Sequence, residues 1–299
     1  MTSELLTIRD FLRHAVSSFR KAGLAHGHGT TSVIDEAAFI ILETLNLPVD
    51  DINPWLDARL LKAERQALAK IITARVKTRK PAAYLLKKTY MHGVPFIVDE
   101  RVIVPRSYIG EMLVKGDLGP EGLGLYYDAA NVQSVLDLCT GSGCLAVLAA
   151  QHFPGAGVAA TDLSKDALAV ARENLKLHDV EDRISLLQGD LFKPVRSARF
   201  DLIISNPPYV AAAEVKAFPP EYKHEPVMAH LGGVDGFDIV RRILAEAPHH
   251  LTENGALLCE IGTGREMLEA EYPDLPFIWL DSEESEGEVF ALKSADLRR

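Results

Sequence analysis

The segment from residue 134 to residue 150 constrains the fold of this chain most strongly. A short apolar run over 134–139 leads into a Thr-Gly-Ser-Gly-Cys turn over 140–144, and an apolar stretch with helical composition follows. A strand, a glycine turn and a helix in this order open a nucleotide-binding α/β sheet. The turn completes neither the dinucleotide fingerprint nor a phosphate-binding P-loop. The pattern therefore predicts a doubly wound α/β sheet whose ligand must be inferred from other residues.

Two later strands are each followed by a carboxylate. The run 158–162 ends at Asp162, and the run 184–187 is followed by Gly189 and Asp190. Asp162 lies about 20 residues beyond the glycines, where a carboxylate can accept from ribose hydroxyls, and Asp190 could accept from an adenine amino group. For one isolated Asp, a helix cap or a surface charge is the better interpretation. The ordered series of signals favours a nucleoside site.

A fourth apolar run, 200–205, leads into Asn206-Pro207-Pro208-Tyr209. Proline has no N–H group, so this backbone offers carbonyl oxygens, the Asn side chain adds another, and Tyr209 adds a flat ring. Such a site accepts hydrogen bonds from a planar NH2 group and stacks on it, as methylation of an amide or an exocyclic amine requires. The structural alternative is a strand end closed by prolines. The ligand that fits all four strand ends is S-adenosylmethionine.

From about residue 132 to the C-terminus the pattern resembles the class I S-adenosylmethionine-dependent methyltransferases, which have a Rossmann-like doubly wound sheet. Within that class, Asn-Pro-Pro-Tyr resembles both the amino-methyltransferases of DNA and the protein-glutamine N(5)-methyltransferases. The formal net charge of −10 and the pI of about 5.5 argue against specific DNA binding, which needs a basic footprint. Basic residues concentrate between Arg59 and Lys88, and we interpret them as a solvated helix face.

The N-terminal part shows helical spacing over 7–21, 35–45 and 62–78. The segment 90–98 predicts a hairpin, and 115–131 predicts an irregular loop. We therefore expect a helical substrate-recognition domain over 1–83, a β-hairpin linker over 84–106 and a catalytic domain over 107–299. A glutamine side chain is too small to specify one protein, so affinity must come from a remote surface such as the helical domain.

Motifs outside the sheet make the resemblance closer. Arg79, Pro81, Tyr84 and Leu85, the Val-Pro-Arg segment ending at Arg106, the glycine turn and Asn-Pro-Pro-Tyr together resemble the protein-glutamine N(5)-methyltransferase family. The segments 26–30, 98–107, 222–226 and 235–236 resemble the branch that methylates the third protein of the large ribosomal subunit. Ser107 stands where the sister branch, which modifies peptide chain release factors, usually has a proline.

The resemblance implies methylation of a glutamine side-chain amide nitrogen in that ribosomal protein, either free or within an assembly intermediate. Release factors are the first alternative substrate, and adenine in nucleic acid is the second. Direct transfer of the methyl group requires neither an enzyme nucleophile nor a metal.

Each predicted site residue has a role. The catalytic residues are Asn206, Pro207 and Tyr209, and the substrate-binding residues are these three with Pro208. The predicted cofactor-binding residues are Asp137, Cys139, Thr140, Gly141, Ser142, Gly143, Asp162, Asp190, Leu191 and Asn206. Glu225 and Glu260 are candidates for shaping the site, with a strand-end role for Glu260 an equal alternative. Arg106 is interpreted as a hinge-region ion pair rather than a partner of the cofactor carboxylate.

The cysteines, the histidines and the lengths of the apolar segments indicate where in the cell the protein is expected and whether it binds a metal. The three cysteines have no zinc spacing and are interpreted as small buried hydrophobes. The ten histidines are interpreted as surface or loop residues, and no metal is expected. The sequence shows neither a signal peptide nor a long apolar span, which predicts a soluble, cytoplasmic protein without a membrane partner.

Overall fold

Capped, amphipathic helices form the N-terminal part of the protein. The computed structural model describes residues 4–118, 131–283 and 286–298. Helices α1 (Ile8–Ala22), α2 (Val33–Thr44) and α3 (Lys62–Thr78) lie close to the predicted bounds, and a short α4 (Ala82–Leu86) follows. Thr7 caps α1 in a capping box with Asp10, and Ser32 caps α2. The buried apolar faces meet in one cluster that includes Phe11, Phe19 and Ile40.

A hairpin joins this helical part to the sheet, as predicted. Strands β1 (Lys88–Met91) and β2 (Val94–Ile97) pair antiparallel. A small apolar cluster, in which Tyr84 and Val104 pack with Val170, joins the segments on either side of the hairpin to the catalytic part. Helix α5 (Tyr108–Lys115) then begins after the N-cap residue Ser107. The predicted loop over 115–131 falls mostly outside the described residues.

The main sheet contains, in chain order, β3 (Ser134–Leu138), β4 (Gly157–Asp162), β5 (Ile184–Gln188), β6 (Phe200–Ser205), β7 (Leu251–Glu260), β8 (Ile278–Asp281) and β9 (Glu286–Lys293). Their spatial order is β5-β4-β3-β6-β7-β9-β8. The pairs from β5 to β7 are parallel, and β9 runs antiparallel to both of its neighbours. The strand order reverses at β3, so a crevice for a ligand is expected at the carboxyl ends of β3, β4 and β6.

Helices cover both faces of this sheet, which confirms the predicted doubly wound α/β fold. The other helices are α6 (Cys144–His152), α7 (Lys165–Leu177), α8 (Ala212–Ala217), α9 (Asp238–His250), α10 (Arg265–Glu271) and α11 (Ser294–Leu297). Alternate residues of β6 face two cores: Leu202 and Ile204 join the α6 side, and Ile203 joins the α9 side. Strand β6 is therefore packed on both of its faces.

The basic region Arg59–Lys88 is not wholly a solvated helix face. Arg75, in α3, is completely buried and donates to the buried carboxylate of Glu36, in α2. Burying a charge is costly unless it is paired, so Arg75 and Glu36 each depend on the other as a charge partner. The helical spacing of α3 could not reveal this, because the partner lies on another helix. Among the described residues, no helix is long and apolar enough to span a membrane.

Candidate active site

A cavity of about 840 Å³ lies at the carboxyl ends of β3 and β6. The glycine turn after β3 and the Asn-Pro-Pro-Tyr segment after β6 form one side of it. Residues from the helical part and the linker form the other, including Gly29, Tyr90 and Arg106. The cavity therefore lies at the point of strand reversal and is bounded by all three parts of the chain.

The glycine turn presents its backbone to this cavity. Gly141 has φ +56°, and a Cβ built there would meet no atom within 4 Å. Gly143 has φ +78°, and its Cβ would lie 3.1 Å from Cβ of Ala171 in α7. One glycine thus leaves room beside the turn, and the other permits close helix packing. The turn, the volume and the adjacent carboxylate of Asp162 fit the binding of S-adenosylmethionine.

The predicted carboxylates lie at the strand ends, but backbone or basic groups engage them. Asp162 Oδ2 accepts from Gly141 N at 2.8 Å, and its Oδ1 accepts from Ser164 N at 2.8 Å. Burial raises the pKa of Asp162 above its usual value. Burial also raises the pKa of Asp137 to about 7, although Thr140 donates to it. Asp162 therefore fixes the shape of the glycine turn.

Asp190 is less available than the sequence indicated. Its two carboxylate oxygens lie 2.7 Å from Lys193 Nζ and 2.7 Å from Arg242 Nη2. Hydrogen bonds from Lys193 and then Arg242 lower the pKa of this carboxyl. A contact with adenine would have to compete with both cations, so the role of Asp190 toward the nucleoside stays a prediction.

Not all of the predicted residues line the cavity. Those that do are Cys139, Thr140, Gly141, Ser142, Asn206, Pro207 and Tyr209. Those that do not are Asp137, Gly143, Asp162, Asp190, Leu191 and Pro208. Cys139 is only half-buried and faces the site, so it is not the fully buried hydrophobe that was expected, whereas Cys144 and Cys259 are buried.

The side-chain amide of Asn206 is held in one orientation. Its Nδ2 donates to the carbonyl oxygen of Arg106 at 2.7 Å and to Glu260 Oε1 at 3.1 Å. An Asn NH2 group has two hydrogens, so both are used by the protein. The carbonyl oxygen Oδ1 is therefore the end of this amide that is left for a substrate.

Glu260, at the end of β7, links the start of α5 to the Asn-Pro-Pro-Tyr segment. Oε2 accepts from Ser107 Oγ at 2.7 Å and from Tyr108 N at 3.0 Å, while Oε1 accepts from Asn206 and, at 3.4 Å, from Tyr209 Oη. The residue is 2% exposed. Burial raises its pKa to about 7, against the lowering effect of the hydrogen bonds from Ser107 and Tyr108. Glu260 therefore satisfies a backbone N–H group, as a strand-end residue would, and in addition contacts the side chains of Asn206 and Tyr209.

Tyr209 packs against a glycine in the turn after β7. A Cβ on Gly262 would lie 3.0 Å from Cε2 of the ring, and Gly262 has φ +60°. Burial, followed by the charge of Glu260, raises the pKa of the Tyr209 hydroxyl. The ring therefore stays neutral and has its place fixed on one side by backbone, with its hydroxyl directed to Glu260.

A second buried carboxylate, Glu225, joins the helical part to the catalytic part. Its Oε1 accepts from Val104 N at 2.9 Å, and Arg106 Nη2 lies 3.3 Å from Oε2. His230 Nε2 and His28 Nε2 lie 3.0 Å and 3.5 Å from the same oxygen. Arg106 also donates to the carbonyl oxygen of Gly27 at 2.5 Å. The interpretation of Arg106 as a hinge-region ion pair agrees with these contacts.

The expectation of surface or loop histidines holds only in part: His28 lies in the loop between α1 and α2, and His250 is the last residue of α9. His28 and His250 are both buried. Within the described residues, no group of His, Cys, Asp and Glu could hold a metal ion. Sequence reasoning missed the contact between the segments 26–30 and 222–226, which includes the rings of His28 and Tyr222 with their centroids 4.2 Å apart. The only available signal was that both segments carried the family resemblance.

Comparisons with known proteins place the chain in a family. The Methyltransferase small domain family matches residues 117–218. A ribosomal protein uL3 glutamine methyltransferase of Bradyrhizobium diazoefficiens is 54% identical over 98% of this chain and 92% of its own length. Proteins of the same name from Burkholderia pseudomallei and Neisseria gonorrhoeae are 49% and 50% identical, covering 97% and 98% of this chain and 95% and 96% of their own lengths. The chain therefore belongs to the family of ribosomal protein uL3 glutamine methyltransferases.

Proposed function

We propose that this protein transfers the methyl group of S-adenosylmethionine to the side-chain amide nitrogen of a glutamine in ribosomal protein uL3. The family relationship identifies the reaction class and the substrate protein of the relatives. The observation that carries the proposal is the fixed amide of Asn206, whose NH2 group is used by Arg106 and Glu260. An acceptor oxygen is thereby presented to an incoming NH2 group.

The residues of the site divide the work between two ligands. The turn from Cys139 to Ser142, whose shape the carboxylate of Asp162 fixes from outside the cavity, would hold S-adenosylmethionine, which supplies an electrophilic methyl group when bound. Asn206 Oδ1 and the Pro207 carbonyl would accept the two amide hydrogens of the substrate glutamine, and Tyr209 would stack on the amide plane. One of these hydrogens leaves the nitrogen as a proton when the N–CH3 bond forms. Pro208 would stiffen this segment from outside the cavity. Holding donor and acceptor in line is worth about 7–11 kcal/mol of the barrier.

The helical domain over 1–83 is the part that we assign to recognition of uL3, with the hairpin linker over 84–106 placing it beside the catalytic domain over 107–299. The substrate would be met in the cytoplasm, before or during ribosome assembly. No DNA or membrane partner is part of this proposal.

The test is methyl transfer from labelled S-adenosylmethionine to purified uL3, a peptide chain release factor and plasmid DNA, offered separately. Mass spectrometry of the products locates the added methyl group. Label on a glutamine of uL3 alone is the expected result. Label on the release factor in place of uL3 would keep the chemistry and refute the substrate, and label on DNA alone would refute both.

A further inference from the structure

A second cavity, of about 510 Å³, lies in the helical part between α1, α2 and the hairpin. It shares Gly29, Thr30, Asp35 and Tyr90 with the cavity at the carboxyl ends of β3 and β6, which we call the reaction cavity. The two cavities therefore adjoin. We call this second cavity the acidic groove. A chain whose glutamine enters the reaction cavity would pass beside the groove within a few residues.

The lining of the acidic groove combines apolar surface with negative charge. Leu12, Phe39 and Leu56 are partly buried apolar residues of its wall, and the carboxylates of Asp35, Asp50 and Asp51 are exposed. Among the described residues that line it, none is a lysine or an arginine. This combination suits a long basic side chain, whose methylene stem packs on apolar surface while its charge meets a carboxylate.

Two further observations separate the groove from a plain acidic cluster. His28 lines it and is 6% exposed, yet its Nδ1 has no hydrogen-bond partner among the described residues. A buried polar atom without a partner is costly, so a ligand group that reached this nitrogen would satisfy it. In addition, the nearby cation Lys88, which lies over the Tyr90 ring, is already paired with Glu43 at 3.1 Å.

We propose that the acidic groove binds a lysine- and arginine-rich segment of the substrate protein, close in its chain to the methylated glutamine. The inference rests on the proposed function and specifies how that substrate is recognised. A protein that binds ribosomal RNA must carry basic segments that neutralise phosphates. The enzyme has a formal net charge of −10, and opposite charges of this kind also speed encounter.

The test compares two double variants that remove the same charge. Asp50→Asn/Asp51→Asn changes the groove, and the amide introduced in place of the Asp51 carboxylate keeps a carbonyl oxygen for the hydrogen bond that Asn53 N makes with Asp51 at 2.9 Å. Glu181→Gln/Asp182→Asn is the control, because both of its residues are exposed and line neither cavity. Neither pair belongs to the catalytic machinery.

The expected kinetic result is a KM for uL3 that rises about five- to tenfold in the groove variant, with kcat and the KM for S-adenosylmethionine within about twofold of wild type. The control variant should stay within about twofold in all three constants. The effect should shrink as salt is raised, because exposed charges are screened.

A second measurement does not depend on methyl transfer. A fluorescein-labelled peptide of about 12 residues rich in lysine and arginine is titrated against wild type and both variants at low salt, where exposed charges are least screened. The groove variant should bind it about fivefold more weakly than the control variant. Equal affinities of the two variants for the peptide would overturn the proposal that the acidic groove binds a basic segment, whether or not uL3 is methylated. Failure of the wild-type enzyme to methylate uL3 would overturn the proposed function alone.

Discussion

At the scale of single residues, the site depends on the direction in which one amide points. An Asn amide can be turned over without changing its shape, and only its hydrogen-bond partners decide which end faces the cavity. Here two acceptors, the Arg106 carbonyl and Glu260, fix the NH2 end. The chemistry at the cavity therefore depends on residues about 50 and 100 positions away in sequence.

Asn206→Ala removes the acceptor oxygen that we assign to the substrate amide. By analogy with the loss of one preorganised hydrogen-bonding group, the barrier should rise by about 3–4 kcal/mol, which is a loss of roughly 10²–10³ in kcat. Affinity for S-adenosylhomocysteine, measured by calorimetry, should change by less than about fivefold, because the turn after β3 is untouched. A variant with near-normal turnover would remove Asn206 from the mechanism.

Glu260→Gln replaces a carboxylate that accepts on both oxygens with an amide that accepts on one side only, so its NH2 group must face either Asn206 Nδ2 or Tyr108 N. Two donors then oppose each other, and in the first arrangement the Asn206 amide loses its fixed direction, so kcat should fall about tenfold or more. Burial raises the pKa of Glu260 to about 7, so its ionised, accepting form increases as the pH rises through that value. The kcat of the wild type should rise with it.

The matched control for this change is Glu253→Gln, an exposed residue of the same strand. Measuring kcat from about pH 6 to about pH 8.5 at saturating substrates separates the two variants. The Glu253→Gln profile should follow wild type, and the Glu260→Gln profile should be low and flat near pH 7. A Glu260→Gln profile with the wild-type rise would show that this carboxylate does not orient Asn206.

At the scale of elements, the turns that follow the strands place the reacting groups. The turn after β7 must pass beneath Tyr209, and Gly262 leaves the space for its ring. Gly262→Ala adds a Cβ 3.0 Å from that ring at φ +60°. We expect a loss of about 1–2 kcal/mol in the free energy of unfolding from the backbone strain.

The same variant should lose activity beyond its stability effect, because the displaced ring can no longer stack on the substrate amide. Urea denaturation and kcat/KM for uL3 measure the two effects. Gly157→Ala is the control, since its φ is not left-handed and its Cβ would meet no atom within 4 Å. Unchanged kcat/KM in Gly262→Ala would mean that the position of the Tyr209 ring is unimportant.

Elements were largely predictable from the sequence because their signals are local. Helical spacing, N-cap residues such as Ser164, and apolar runs that end in glycine or proline all act within a few residues. The cavity-lining groups Cys139 to Ser142 and Asn206 to Tyr209 were found for the same reason. The contacts of Glu225 and Glu36 were not, because burial of a charge depends on a partner from a distant part of the chain.

At the scale of the whole molecule, buried carboxylates of the catalytic part pair with arginines of the helical part and of the linker. Glu221 lies 2.6 Å from Arg79, and Glu225 meets Arg106. Both carboxylates are fully buried, so each depends on its partner from the other side of the interface.

Glu225→Gln should lower the free energy of unfolding by about 1–2 kcal/mol at neutral pH, because Arg106 loses its charge partner but keeps the Gly27 carbonyl and partial access to water. Burial raises the pKa of Glu225, but hydrogen bonds from His230 and His28 and the charge of Arg106 outweigh it, so the pKa lies well below the usual value of 4.5. A lowered pKa means that this stabilisation is present above pH 4.5 and is lost as the pH falls below it.

Urea titrations of wild type and Glu225→Gln at about pH 7.5 and at about pH 4 measure this difference. The deficit of the variant should be larger at the higher pH. Glu214→Gln, at an exposed position of α8, should show no deficit at either pH. An equal deficit at both pH values would mean that shape, rather than charge, makes Glu225 important.

Arg106 contacts both the interface between the parts of the chain and the Asn206 amide of the candidate site. Its guanidinium holds Gly27 and Glu225, and its own carbonyl oxygen holds the amide of Asn206. A fragment that began at Tyr108 would keep the whole sheet and the Asn-Pro-Pro-Tyr segment, yet its Asn206 would lack the carbonyl that aims it. Removing the helical part and the linker therefore cannot yield a smaller enzyme with the same site. The linker ends at Arg106, and its carbonyl oxygen orients the Asn206 amide whose Oδ1 is presented to the substrate.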